Sequence, residues 1–179
     1  MKTLKDSFVR SYALLVSGAN LLRSPLLLIL RVYFFWQLFQ TGVGKLTHLG
    51  QISAYFGQDL GIPFPTLNAC LAGGAETFGG LLLVAGLASR LAAIPVMGVM
   101  VVAYLTAEKG AVAAFLHGNF DRFMQGTPFP FLAAAILVFA FGPGRISLDA
   151  LIGWMVRRRA VQASSNPDPG ARTVSRANA

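Results

Sequence analysis

Four long apolar runs dominate the chain, and shorter stretches rich in polar residues, glycine and proline separate them. The runs cover residues 25–46, 67–87, 91–107 and 128–141. About 20 apolar residues in a helix span the hydrocarbon core of a bilayer, so we predict four membrane-spanning helices. Pro25 suits the first turn of the first helix. The turn-forming sequence GIPFP at 61–65, in the first connection, is predicted to be a loop or a helix end, and residues 108–127 form a polar connection.

The first run carries its charges along one helical stripe. At about 100° per residue, Arg31, Phe35, Leu38, Gly42 and Lys45 lie on the same side of the helix. Because charged groups are costly in hydrocarbon, we expect this stripe to face the protein interior.

The second run has one charged residue, Glu76, near its middle. A carboxylate at that depth must be paired, protonated or hydrated, so this helix should not face lipid all round. Four small residues lie three or four positions away and share the face of Glu76. They are Ala72, Gly73, Gly79 and Gly80. Small residues let neighbouring helices pack closely in membranes.

The chain divides into four predicted segments. Residues 1–24 are basic, with apolar positions at helical spacing; they form either an interfacial helix or a partly ordered tail. Residues 25–145 form the membrane domain. Residues 146–159 form an amphipathic interfacial helix, with Ser147 as its N-cap. Residues 160–179 are rich in Ser, Asn, Pro, Gly and Ala and are predicted to be disordered.

Composition supports the membrane assignment. Hydrophobic residues make up 55% of the chain and charged residues 12%, with a mean hydropathy of +0.60; a soluble domain has about twice that charge. The net charge of +8 comes mostly from the two ends of the chain, which favours anionic membrane lipids over nucleic acid as the partner. Cys70 is the only cysteine in the sequence, which excludes an internal disulfide.

The distribution of basic residues predicts the orientation. With four spans, most lysines and arginines fall on one side, and the other side has Lys45, Lys109 and Arg122. Basic residues accumulate on the cytoplasmic side, so both termini should be cytoplasmic. The predicted fold is an all-α membrane protein, a four-transmembrane-helix antiparallel bundle with flanking amphipathic interfacial helices.

Four sequence segments in this order resemble the DoxX family of small bacterial membrane proteins. Arg31 precedes GVGKL at 42–46, GIPFP follows at 61–65, then ETFGGLLLVAGLASRL at 76–91 and GPGRISLDALI at 142–152. The resemblance implies a four-helix bundle in the bacterial inner membrane. Members are often labelled oxidoreductases, and the family name comes from a subunit linked to thiosulfate:quinone oxidoreduction.

Five residues are candidates for a ligand site: Arg31, Gln37, Lys45, Glu76 and Arg90. Glu76 either forms a structural ion pair with Arg31 or acts in proton transfer or ligand binding. Gln37 could donate a hydrogen bond to a quinone carbonyl or link two helices. Lys45 is expected to extend to the membrane interface, with ligand contact as the alternative. Arg90 is expected to anchor the cytoplasmic surface, again with ligand contact as the alternative.

No catalytic triad, phosphate-binding loop, dinucleotide fingerprint or metal cluster is present in the sequence. The chain is therefore expected to hold no flavin, haem or metal alone, and a quinone or a redox partner subunit would supply the electron carrier. The expected function is an accessory or membrane subunit of an oxidoreductase system that binds a quinone or another lipophilic molecule. The alternatives are a small-molecule transporter and a non-catalytic membrane scaffold.

Overall fold

The computed structural model describes residues 2–165, with side chains for 12–19 and 21–162. Within these residues the chain is helical and contains no strand. The helices are α1 (Lys2–Thr47), α2 (Leu49–Ala54), a π-helical turn (Tyr55–Asp59), α3 (Pro65–Ala85), α4 (Ser89–Thr106), α5 (Lys109–Leu116), α6 (Phe120–Met124), α7 (Phe129–Phe141) and α8 (Leu148–Ser165).

Helix α1 differs from the sequence prediction at its start. It is continuous from Lys2 to Thr47 and includes Pro25, so the prediction that a helix begins at Pro25 is wrong. An interior proline removes one hydrogen bond, and membrane helices tolerate this loss. The apolar stripe proposed for residues 1–24 falls mainly on side chains outside the described set. Its position at the membrane surface stays a prediction.

Three helices among the described residues are long and apolar enough to cross a membrane. They are Tyr12–Thr47 within α1, Pro65–Ala85 and Ser89–Thr106. The fourth predicted span is α7, which is apolar but has only 13 residues. At 1.5 Å per residue it is about 20 Å long, which is shorter than a hydrocarbon core of about 30 Å.

Helices α1, α3, α4 and α7 pack around one core. Helix α1 contacts α3 and α7, and α4 contacts the same two helices. Large buried side chains from all four meet in this core; they are Phe35, Leu38, Leu83, Val96, Met100 and Val138. On the α1 stripe, Arg31, Phe35, Leu38 and Gly42 are buried, as the sequence predicted.

The tightest helix contact joins α1 to α3 through glycine. A Cβ atom on Gly42 would lie 2.5 Å from the backbone nitrogen of Thr77, and one on Gly80 would lie 2.9 Å from that of Phe39. Gly79 faces the other way, where a Cβ would meet Val96 of α4 at 2.6 Å. The small-residue face predicted around Glu76 is therefore a packing surface for two neighbouring helices.

Gly86 makes the end of α3 possible. Its φ angle of 71° lies in the left-handed region, and the amide of Leu87 donates to Leu82 O at 2.9 Å, as in a Schellman motif. A Cβ at this position would also meet Arg31 Nη2 at 2.6 Å. Both the backbone angle and the close approach require glycine.

The start of α8 is bound to the turn between α3 and α4. The Ser147 hydroxyl accepts a hydrogen bond from the amide of Ala150 at 3.1 Å, which confirms the predicted N-cap. The Asp149 carboxylate accepts from the amides of Ala88 and Ser89 at 2.7 and 3.0 Å. Helix α8 extends to Ser165, beyond the predicted end at residue 159. The rest of the predicted tail, 166–179, lies outside the described residues.

The two polar connections contain more regular structure than the sequence predicted. The first holds α2 and the π-helical turn before the loop at 61–64, and the second holds α5 and α6. Helix α2 packs against α3, and α5 packs against α4. The GIPFP sequence covers the loop at 61–64 and the first residue of α3, in agreement with the prediction of a loop or a helix end.

We expect Gly42→Ala to destabilise the protein, whereas Gly44→Ala should not. An added Cβ at Gly42 meets the backbone of α3, but nothing lies within 4 Å of one at Gly44. Overpacking of this kind costs about 1–3 kcal/mol. Reversible unfolding of the two variants in mixed detergent micelles measures the difference. Equal unfolding curves would show that α1 and α3 do not approach through Gly42.

Candidate functional site

Glu76 is buried and ion-paired with Lys45. Its side chain is 2% exposed, and Lys45 Nζ lies 2.5 Å from Glu76 Oε1. The prediction that Glu76 faces the protein interior is confirmed. Lys45 comes from the last turn of α1, and its side chain remains 24% exposed.

The predicted ion pair between Arg31 and Glu76 is wrong, and so is the expectation that Lys45 simply extends to the interface. Arg31 lies near the C-terminal end of α3, about two helical turns after Glu76 along that helix. Its Nε donates to Leu83 O at 3.0 Å and its Nη2 donates to Val84 O at 3.1 Å. The unpaired carbonyls at a helix C-terminus attract cations, and Arg31 occupies that position.

Arg31 also binds the segment before α8. Its Nη1 donates to the carbonyls of Pro143 and Ile146. The side chain is 1% exposed, so the guanidinium is buried among backbone acceptors from two parts of the chain. These contacts give Arg31 a structural role that joins α1, α3 and the connection to α8.

Glu76 Oε2 is a buried oxygen without a hydrogen-bond partner among the described residues. Nearly all buried polar atoms in proteins have a partner, so an exception calls for an explanation. Lys45 neutralises the carboxylate through Oε1 and leaves Oε2 able to accept a proton or a hydrogen bond.

An apolar cavity of about 480 Å³ lies beside Lys45. It lies between α2, the π-helical turn, α3 and α4 and is partly open; we call it the lysine cavity. Apolar side chains make most of its wall, among them Ile52, Phe56, Leu60, Val99 and Val102. Of the described residues that line it, Lys45 is the one with a charge.

The polar groups of the lysine cavity are few. Asn68 Nδ2 donates to Pro63 O at 2.7 Å, and Thr106 Oγ1 donates to Val102 O at 2.7 Å, so both are engaged with backbone. Tyr55 also lines the wall. A wall of this kind, apolar with a few polar groups, is typical of sites for lipophilic small molecules, which measure about 300–1,000 Å³.

The remaining predicted site residues lie elsewhere. Gln37 is exposed, and its Nε2 donates to Tyr33 O within the same helix at 3.3 Å. Arg90 lies at the first turn of α4, where Nη2 donates to Ala140 O at 3.4 Å. The structure thus brings together Lys45 and Glu76 and places the other three candidates away from them.

Metal-ligating side chains do not cluster in the described part of the chain, where no group of three or more His, Cys, Asp or Glu occurs. His48 and His117 each place Nδ1 near a backbone carbonyl of the preceding turn. Cys70 is exposed.

Sequence reasoning missed the cavity residues of the first connection. Ile52, Tyr55 and Phe56 line the cavity, and their spacing of three and four is that of one helical face. That spacing was the available signal.

Comparison with known proteins bears on the family resemblance. The family model DoxX matches residues 26–109, which confirms the resemblance drawn from the sequence. The matched range includes Arg31, Lys45 and Glu76. No curated protein and no solved structure matches the chain.

We expect Lys45→Met to destabilise the protein by about 3 kcal/mol, because it leaves a buried carboxylate without its partner. Glu76→Gln in the same chain should recover much of that loss, since no buried charge remains. The coupling is measured by unfolding the two single variants and the double variant. Lys109→Met, at an exposed lysine, is the control. Additive effects would contradict a direct ion pair.

Arg31→Lys should loosen the junction before α8, because an ammonium group cannot reproduce the planar fork that binds several carbonyls. Hydrogen exchange in residues 142–150 should speed up, while exchange in α5 and α6 should stay as in the unmodified chain. Unchanged exchange at the junction would show that the bonds from Arg31 to Pro143 and Ile146 do not hold it.

Proposed function

We propose that this DoxX-family chain is a membrane subunit or accessory protein of an oxidoreductase system. It binds a quinone or another lipophilic small molecule in the lysine cavity. The observation that carries the proposal is the position of Lys45, which lines an apolar cavity and is paired with the buried Glu76.

The residues present fit a quinone. Its ring and tail are apolar, like the cavity wall, and its carbonyl oxygens accept hydrogen bonds. The Lys45 ammonium group has three donors, of which one is directed to Glu76 Oε1. A remaining donor can bind a carbonyl oxygen at the cavity wall. The cavity volume of about 480 Å³ lies within the usual range for small-molecule sites.

A bound quinone would supply the capacity to accept electrons and protons, which the side chains of this protein lack. Lys45 would orient the molecule and offset negative charge on its oxygen. Glu76 Oε2 is shielded from water and can hold a proton next to Lys45. Electrons would come from a partner subunit, because the sequence has no flavin, haem or nucleotide motif.

We also propose a four-span, antiparallel arrangement in the bacterial inner membrane, with both termini in the cytoplasm. Two observations support it. Helix α7 is apolar throughout and packs against α1 and α4 as a fourth member of the core. The basic residues are concentrated on the side that holds both termini when there are four spans. Cysteine labelling of Ser17 and Arg122 variants in intact cells and in inverted vesicles tests the orientation.

The binding test uses decylubiquinone and the purified full chain. Gly98 lines the cavity, and a Cβ there would have open space within 4 Å. Gly98→Leu should therefore fill the cavity and weaken binding at least tenfold. Gly74→Leu is the matched control, since Gly74 has the same open space but does not line the cavity. Lys45→Met should weaken binding several-fold through loss of the polar contact.

Decylbenzene has the same alkyl tail as decylubiquinone but no carbonyl. Comparing the two probes therefore separates recognition of the quinone head from binding of the tail alone. The proposal predicts that Lys45→Met affects the binding of decylubiquinone and not that of decylbenzene. Equal affinity of the unmodified chain for both probes would overturn quinone recognition. Decylubiquinone binding that survives Gly98→Leu would overturn the cavity as its location.

A further inference from the structure

A second pocket, of about 740 Å³, lies at the other end of the helices and is lined by three arginines. We call it the basic pocket; its charged residues are Arg23, Arg90, Arg145 and Asp149. It forms where α1 passes the ends of α3 and α7 and the starts of α4 and α8. All three arginines are exposed.

The charge of the basic pocket is positive. The Asp149 carboxylate is engaged at the start of α4, where it accepts from the amides of Ala88 and Ser89. Arg23 Nη2 and Arg90 Nη2 donate to carbonyls at the end of α7, at 3.2 and 3.4 Å. A guanidinium has five N–H donors, so both arginines keep donors for a ligand. Because three arginines face a single carboxylate that is already hydrogen-bonded, the basic pocket favours an anionic ligand.

Ser89 adds a buried polar group to the same wall. It is wholly buried, lines the basic pocket, and its Oγ has no hydrogen-bond partner among the described residues. A buried hydroxyl without a partner is unusual in proteins, and it adds an unsatisfied donor to the wall of the basic pocket.

An apolar groove continues from the basic pocket along α1 and α7. It measures about 520 Å³ and shares Arg23 and Phe141 with the basic pocket. The rest of its lining is apolar or aromatic; it consists of Leu26, Leu27, Ile29, Leu30, Tyr33, Phe34 and Leu137. Arg23 lies at the junction, where its guanidinium stands 5.3 Å from the centre of the Phe141 ring.

We infer that the basic pocket and the apolar groove together bind one anionic phospholipid. The phosphate lies among Arg23, Arg90 and Arg145, and an acyl chain lies along the groove between α1 and α7. Basic pockets between membrane helices bind anionic head groups in this way. A free phosphate would not need an apolar groove beside its binding site, whereas an acyl chain would. The groove is therefore the reason to assign the ligand as a lipid. The site is separate from the lysine cavity and does not depend on quinone binding.

The test compares dioleoylphosphatidylglycerol with dioleoylphosphatidylcholine on the purified full chain, by native mass spectrometry and by melting in detergent. The anionic lipid should be retained and should raise the melting temperature more than the zwitterionic lipid. Arg90→Gln/Arg145→Gln should weaken retention at least tenfold. Arg122→Gln/Arg159→Gln removes the same charge outside the pocket and should leave retention unchanged.

Two further experiments test the apolar groove and the basic pocket separately. Leu137→Trp should block the groove and lower retention of the anionic lipid, while Ile136→Trp, next to it but outside the groove, should not. Glycerol 3-phosphate tests the head group alone and should neither compete nor stabilise at the lipid's concentration. Equal stabilisation by glycerol 3-phosphate would reduce the site to a phosphate site and overturn the lipid. Equal losses in both arginine pairs would overturn the pocket.

Discussion

The contact between α1 and α3 depends on two cations of α1, each of which binds a different kind of acceptor on α3. Arg31 binds the carbonyls at the end of α3, and Lys45 binds the Glu76 carboxylate near its middle. Charges and unpaired carbonyls are both costly in hydrocarbon, so each partner stabilises the other only at one helix register. Gly42 and Gly80 allow the backbones to approach closely enough for both cations to reach.

This register also gives the two ends of the molecule different chemistry. Near Lys45, the first connection folds back over α3 and lines an apolar cavity together with α3 and α4. Near Arg31, the end of α3, the start of α4 and the start of α8 meet around Gly86 and Asp149. That end is rich in arginine and open. The molecule therefore separates an apolar cavity from a basic pocket along the length of the same helices.

Helical spacing predicted the α1 stripe and the small-residue face, and the cost of a charge in hydrocarbon predicted the burial of Glu76. The choice of partner for Glu76 could not be predicted in this way. Pairing Arg31 with Glu76 from sequence requires knowing where each span begins, and α1 has no break at Pro25 to mark the start of its span. The true acceptors of Arg31 are backbone carbonyls, which every residue has and no sequence motif marks. The lysine cavity could not be predicted without the path of residues 49–60, and only tertiary packing defines that path.

Arg31 and Lys45 differ in how easily each could exchange its hydrogen-bond acceptor for another. Arg31 is buried, and its bonds go to carbonyls of two segments, so moving it would disrupt the end of α3 and the junction to α8 together. Lys45 is partly exposed, has a flexible stem and pairs with a carboxylate whose second oxygen has no hydrogen-bond partner within the described part of the chain. An ammonium group can rotate toward a new acceptor while it stays near Glu76. Ligand binding is therefore more compatible with the Lys45 end of the contact than with Arg31, even though the sequence makes both residues equal candidates.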